Sequence, residues 1–369
     1  MYKIRTMNAI SPLGISILEK HGCAVKPDIE NPEALLIRSA DLHSTEFWPE
    51  LLCIGRAGAG VNNIPLDTCS EKGIVVFNAP GANADATKEM VIFEMLLASR
   101  DILGSIEWVK SIAGKGDEIP ALVEKGKSAF AGPELCGKNL GVIGLGAIGA
   151  LVANLALEFG MTVRGYDPYM SVESAWRLSR DVIHVDYLDE IFRTSDYISL
   201  NVPYNESTHH MIDAAAIASM RPGVRIMNES RAEIVDDDAM IAGLESGKIG
   251  KYVTDFPNKK LIGARNCITT PHLGACTPES EEKCSVMAAQ EIYDYLANGN
   301  IRNSVNMPNA SLERLGVCRL CVIHRNVPNM INKPRGGYAY TMIDLAERVN
   351  GEITSQILQN PDVLRVRVI

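Results

Sequence analysis

The chain has 369 residues and a mass of 40.2 kDa, more than a single hydrophobic core usually serves. Apolar residues make up 46% and charged residues 22%, which excludes disordered, collagen-like and low-complexity classes. A net charge of −9 opposes the phosphate-neutralising term that drives nucleic-acid binding, so no nucleic-acid partner is expected.

The opening residues 1–8 are too polar for a signal peptide, and no apolar run approaches the ~20 residues of a membrane helix. The expectation is a cytoplasmic protein without membrane contact, whose nine cysteines are reduced thiols. In the first hundred residues, Ala34–Ile37, Leu51–Ile54 and Ile74–Phe77 are short apolar runs separated by turns and helical patterns. Such runs fit parallel strands buried on both faces. A helical pattern follows from Asp85 to about Leu103.

A second series of strand candidates begins at Leu140–Gly144 and continues through Val163–Tyr166, Ile183–Val185, Tyr197–Leu200, Val224–Met227, Tyr252–Thr254 and Cys267–Thr269. That number suits a doubly wound sheet. A helix is predicted over Pro278–Asn298, placed to return to the first domain, and the turn-rich segment Asn306–Gly316 reads as a linker. Residues 317–369 then offer strands at Val317–His324 and Tyr338–Met342, a helix over Ile343–Leu358 and a closing strand at Val363–Ile369. Cys318 and Cys321 have metal-like spacing but no second pair to complete a tetrahedral site, so no metal is expected.

Gly144-Leu145-Gly146-Ala147-Ile148-Gly149 fits G-x-G-x-x-G directly after an apolar strand and before a helical pattern over Ala150–Phe159. The spacing lets the first glycine turn tightly, the second admit a pyrophosphate, and the helix N-terminus face the anion. At the end of the next strand, Asp167 is placed to accept from a ribose diol and to repel a 2′-phosphate, which selects NAD over NADP. Hydride chemistry then needs a cation for the substrate and a proton acceptor. Arg231 and His272 lie past C-terminal strand ends, where open α/β sheets place their ligands.

Together with residues 56–64, Asn78–Asn83, Ser230-Arg231 and Thr270–Ala275, these motifs resemble the D-3-phosphoglycerate dehydrogenase branch of the D-isomer-specific 2-hydroxyacid dehydrogenases. The likeness spans about residues 1–305, and the tail, through Val322–Pro328 and Val363–Val368, resembles the ACT domain of those enzymes. It implies an α/β architecture of two doubly wound parallel-sheet domains, Rossmann- and flavodoxin-like, with a small α+β ACT-like domain. The implied boundaries are 1–98 with 277–305 for the substrate domain, 99–276 for the NAD domain, 306–316 for a linker and 317–369 for a truncated regulatory domain. It further implies a homodimer or higher homo-oligomer that oxidises a small anionic substrate, 3-phospho-D-glycerate, to 3-phosphooxypyruvate in the first step of L-serine biosynthesis. Same-fold alternatives are reduction of hydroxypyruvate or glyoxylate, and non-catalytic NAD(H) sensing.

By the same resemblance Arg231 grips the substrate carboxylate and His272 accepts the hydroxyl proton, while Arg38, Ser39, Arg56, Ala57 and Gly58 contact the anionic substrate. Cofactor contacts carried over are Ala59, Gly144, Gly146, Ala147, Ile148, Gly149, Asp167, Val202, Glu229, Ser230, Asp255, Gly274 and Ala275, with Asp255 on the carboxamide. The sequence departs from the family in three places. The glutamate that pairs with the histidine is missing, since the stretch after Asp255 reads Phe256-Pro257-Asn258-Lys259-Lys260. Ser230-Arg231-Ala232 replaces Ala-Arg-Gly, and Asn329–Gly337 is too short for the helix and strand an ACT domain places there. The tail is therefore expected to lean on a partner or to fluctuate.

Overall fold

The structure, a computed structural model, describes residues 1–326, 335–349 and 351–369. Val327-Pro328 and most of the short connection after them lie outside the described residues. Contacts group the chain into two units, Met1–Asn83 with Thr277–Ile369, and Ala84–Cys276.

The first unit holds five parallel strands, β1 (Lys3–Met7), β2 (Ala24–Lys26), β3 (Ala34–Ile37), β4 (Cys53–Arg56) and β5 (Val75–Phe77), in the order β2-β1-β3-β4-β5. Every residue of β3 and β5 is buried, as parallel strands covered on both faces require. β1 and β2 have no apolar run to announce them. In β1 only Ile4 and Thr6 are buried, and the outward positions hold Lys3, Arg5 and Met7.

The helix Pro278–Asn298 begins and ends where the sequence places it. Thr277 caps its N-terminus, accepting from the Ser280 N–H, with Pro278 in the first turn, and Gly299 ends it in the left-handed region at φ 73°. It buries Ala288, Ile292 and Tyr295 against Ile4, Cys53 and Phe77.

The second unit is a seven-stranded parallel sheet: β6 (Asn139–Ile143), β7 (Thr162–Tyr166), β8 (Ile183–His184), β9 (Tyr197–Leu200), β10 (Val224–Asn228), β11 (Ile249–Thr254) and β12 (Cys267–Thr269). Its order, β12-β11-β10-β9-β6-β7-β8, reverses direction between β6 and β9, the crevice where doubly wound sheets hold ligands. One core packs each face. The helix Ala84–Ser99 contributes Val91, Ile92 and Met95 to this unit's core, so the contact boundary falls before it rather than after residue 98. A new helix, Ile102–Ser111, starts where the Asp101 side chain accepts from the Gly104 N–H; the sequence pattern had run through this break.

The tail differs most from expectation. β13 (Cys318–Arg325) lies between β14 (Tyr338–Leu345) and β15 (Val363–Val368) in an antiparallel sheet. Residues 343–345, expected to open a helix, pair with β13 instead, and the helix runs from Gly351 to Leu358. His324 sits buried in β13, its ring bonded to the Arg325 carbonyl and the Thr341 hydroxyl.

This sheet neither stands apart nor waits for a partner. It packs on the first unit, with Cys321, Ile323 and Tyr340 joining the core around Phe77 and Tyr295. Polar groups of the sheet also satisfy carbonyls at and just past the end of helix Pro278–Asn298. Arg367 lies 4.5 Å over the Tyr295 ring and donates to the Tyr295 and Leu296 carbonyls at 3.1 and 2.9 Å, while the Tyr340 hydroxyl donates to the Gly299 carbonyl at 2.7 Å. Arg319, with no exposed surface, pairs with Asp344 at 2.6 Å and reaches the Asn298 carbonyl at 2.7 Å. A helix C-terminus leaves carbonyls without partners and carries partial negative charge, so cations are favoured there. The expected linker is likewise anchored at its start: buried Asn306 accepts from the Val76 N–H and donates to the Ile74 carbonyl.

Arg367→Ala removes a stacked cation and two charge-assisted bonds, and should destabilise the first unit by about 2 kcal/mol. Urea unfolding checks it; an unchanged midpoint would mean that the tail adds no stability.

Candidate active site

In the second unit, β6 runs into Gly144-Leu145-Gly146 and then the helix Ala147–Glu158. Gly144 has φ 88°, and a side chain there would sit 2.6 Å from the Asn201 carbonyl and 2.9 Å from Val202. A side chain at Gly149 would meet the Gly144 carbonyl at 1.9 Å, which explains the third glycine. Gly146 differs: nothing lies within 4 Å of the position its Cβ would take, and no side chain caps the helix. An uncapped helix N-terminus beside an open cradle, at the sheet's switch point, fits a pyrophosphate. Asp167 follows β7, half-buried, and accepts from the Leu145 and Tyr169 N–H groups at 2.8 and 2.9 Å.

At the ends of β10, β11 and β12 the expected catalytic residues meet a network anchored on Asn228 and Asp255. Asn228 is fully buried; it accepts from the Ser230 N–H and donates to the Arg231 carbonyl, fixing the turn that carries Arg231. Ser230 differs from the family's alanine, and its hydroxyl is spent on the Leu200 carbonyl at 2.7 Å, tying that turn to β9. The Arg231 guanidinium folds back to the Ser230 carbonyl at 2.5 Å.

The Asp255 carboxylate accepts from the Thr270 hydroxyl at 2.5 Å and from the Leu273 and Gly274 N–H groups at 2.7 Å each, while its backbone carbonyl takes the His272 N–H. Burial raises the Asp255 carboxyl, but the bonds from Thr270, Gly274 and Leu273 outweigh it and hold the group below its usual range. His272 is exposed at φ 58°, its ring meeting the edge of Phe256 at 5.2 Å. No carboxylate pairs with the ring among the described residues. Lys260, near the position of the missing glutamate, pairs instead with Asp238 at 2.7 Å.

Two further carboxyls join Asp255. Glu94, wholly buried on helix Ala84–Ser99, bears electrostatically on Glu229, and both bear on Asp255. Burial and the neighbouring Asp255 charge push both glutamates up, Glu94 to about 7 and Glu229 further. Sequence reading placed Glu229 beside the cofactor but gave Glu94 no role. The available signal was an acidic residue between Phe93 and Met95 on a helix with a buried face.

The residues expected to bind substrate lie together in the first unit. The Arg56 Nε donates to the Arg38 carbonyl at 3.1 Å, the Arg56 side chain lies where a Gly58 side chain would be, and Ala57, buried, donates to the Ile37 carbonyl. The Ser39 N–H donates to Asn8, Ala59 accepts from Asn78, and Arg38 pairs with Glu281 at 2.6 Å.

Residues 92–274 match the NAD-binding domain of the D-isomer specific 2-hydroxyacid dehydrogenases. D-3-phosphoglycerate dehydrogenase of Methanocaldococcus jannaschii is 36% identical over 297 residues, covering 78% of this chain and 54% of the relative. The chain belongs to the D-isomer-specific 2-hydroxyacid dehydrogenases. Hydroxypyruvate reductase of Thermotoga maritima is 37% identical over 280 residues, 73% of this chain and 86% of that one. Among solved structures, the NAD+-bound 3-phosphoglycerate dehydrogenase of Entamoeba histolytica superposes with a TM-score of 0.64 at 26% identity, covering 83% of this chain and 98% of its own. The chain spans about half the length of the curated phosphoglycerate dehydrogenases it matches. The matched domain is an NAD-binding one, and among the described residues no helix is long and apolar enough to cross a membrane.

NADP should bind this dehydrogenase on the order of 100-fold more weakly than NAD, because its 2′-phosphate would face the Asp167 carboxylate in a half-buried pocket. Calorimetry with both cofactors checks this, and Asp167→Ala should narrow the ratio; equal affinities in the wild type would contradict it.

Proposed function

We propose that this dehydrogenase oxidises 3-phospho-D-glycerate to 3-phosphooxypyruvate, the entry to L-serine synthesis. The observation that carries the substrate is the pair Arg38 and Arg56, placed at neighbouring strand ends and linked through the Arg38 carbonyl, two guanidiniums, one of them ion-paired with Glu281, whose planar forks suit a phosphorylated acid. The M. jannaschii relative is named for the same substrate.

In this reading Gly144–Gly149 and the helix behind them hold the pyrophosphate, Asp167 the ribose and Asp255 the carboxamide. Held there, the cofactor would supply the hydride acceptor for oxidation at C2 of the hydroxy acid. Arg231 unfolds from the Ser230 carbonyl to grip the substrate carboxylate with its planar fork. His272 takes the hydroxyl proton. Turnover is expected to be slow, because a positioned acid–base partner typically contributes ~10²–10⁴-fold and the family's glutamate is missing.

Initial rates with NAD and 3-phospho-D-glycerate, compared with reduction of hydroxypyruvate and glyoxylate by NADH, test the proposal. The phosphorylated acid should give the highest kcat/KM. Arg231→Ala should lower it by about 100-fold or more while leaving NADH affinity nearly unchanged. A preference for hydroxypyruvate or glyoxylate would reassign the substrate, and NADH binding without turnover of any of the three acids would favour a sensor.

A further inference from the structure

Glu94, Glu229 and Asp255 form a chain of three carboxyl groups, of which Glu94 has no exposed surface. Neither Glu94 oxygen, nor Glu229 Oε1, has a bond from any N–H or hydroxyl. A carboxylate only accepts, so two carboxyls hydrogen-bond to each other only where one carries a proton. Glu229 Oε2 lies 2.2 Å, and Asp255 Oδ2 3.3 Å, from the position a Gly274 Cβ would take, so both carboxyls crowd the loop after His272.

The helix Ala84–Ser99 packs on helix Ala147–Glu158, β10 and β11. From these elements the charged groups that bear most on Glu94 are Glu229, just after β10, and Asp255, just after β11. Among the described residues no grouping of three His, Cys, Asp or Glu side chains is arranged to hold a metal ion. Three ionised carboxylates in one buried cluster would be mutually repulsive and desolvated.

We propose that Glu94 and Glu229 are positioning residues: the buried pair retains protons, and Glu229, which crowds Gly274 together with Asp255, donates to Asp255. Asp255 thereby stays ionised and remains the acceptor for the Thr270, Leu273 and Gly274 groups that shape the His272 loop. The upward push on Glu229 and the downward hold on Asp255 agree with the proton residing on Glu229. The consequence for catalysis rests on the role proposed above for His272, whereas the loop's order does not.

Two readouts separate these. The first is amide exchange of the full chain without cofactor, read at Leu273 and Gly274. Glu229→Ala should raise exchange there by about tenfold, and Glu229→Gln, whose amide donates as the neutral acid does, should keep it slow. Glu94→Gln should also keep it slow, while Glu94→Ala should not. The second is the infrared band of protonated carboxyl groups near neutral pH, which should be present in the wild type and weaken in Glu229→Gln.

In the working enzyme, kcat should fall about tenfold in Glu229→Ala, and Glu229→Gln should recover most of the loss. Fast exchange in both Glu229 variants would overturn the proposal, because it would show that a charge and not a donated proton matters. Slow exchange in Glu229→Ala, or no protonated-carboxyl band in the wild type, would overturn it too. Slow exchange in the Gln variants of a protein without dehydrogenase activity would keep the positioning role and discard only the catalytic reading.

Discussion

The loop that presents His272 hangs from the two oxygens of one carboxylate. Asp255 leaves β11 and accepts a hydroxyl and two backbone N–H groups from residues 270–274, and its own carbonyl takes the His272 N–H. His272 is a non-glycine residue in the left-handed region, a conformation that persists only where its surroundings determine it. Those four bonds are the determinant. They also set a requirement on everything beside them, because Asp255 must remain ionised next to Glu229 and the buried Glu94, a charge distribution that only retained protons make tolerable.

Asn228 does for Arg231 what Asp255 does for His272. It is buried at the end of β10, and its side chain both accepts from and donates to the following turn, so that the arginine is presented by a rigid strand end and not by a free loop. Both candidate catalytic side chains thus depend on a neighbour that touches no substrate in our reading. In the first unit, helix Pro278–Asn298 has a comparable part. Its end supplies carbonyls that Arg319, Arg367 and Tyr340 satisfy, which turns a tail too small for an independent core into an extension of the first unit's own core.

Legibility in the sequence followed the strength of local patterns. β9, β12 and helix Pro278–Asn298 stand where their runs and caps place them, and the glycine loop with Asp167 has the geometry its spacing implies. β1 and β2 escaped because their outward residues include charged ones and their burial depends on sheet partners distant in sequence. The break at Arg100 escaped because an apolar face continues through it, while the capping bond of Asp101 is a single local interaction. The docking of the tail was hidden for a different reason. Arginines at positions 319 and 367 read as solvated strand residues until the helix end that they cap is known. Glu94 was hidden in the same way, since only tertiary structure brings it to Glu229.

The account stands or falls on Asp255 as the acceptor that orders the catalytic loop. Asp255→Asn keeps the volume but replaces one acceptor oxygen with a donor facing N–H groups. Stopped-flow single-turnover hydride transfer, at saturating NADH and an excess of keto acid, reads the consequence directly. The account predicts a rate about 100-fold or more below that of the wild type in a folded, cofactor-loaded protein. Hydride transfer at the wild-type rate in Asp255→Asn would contradict it.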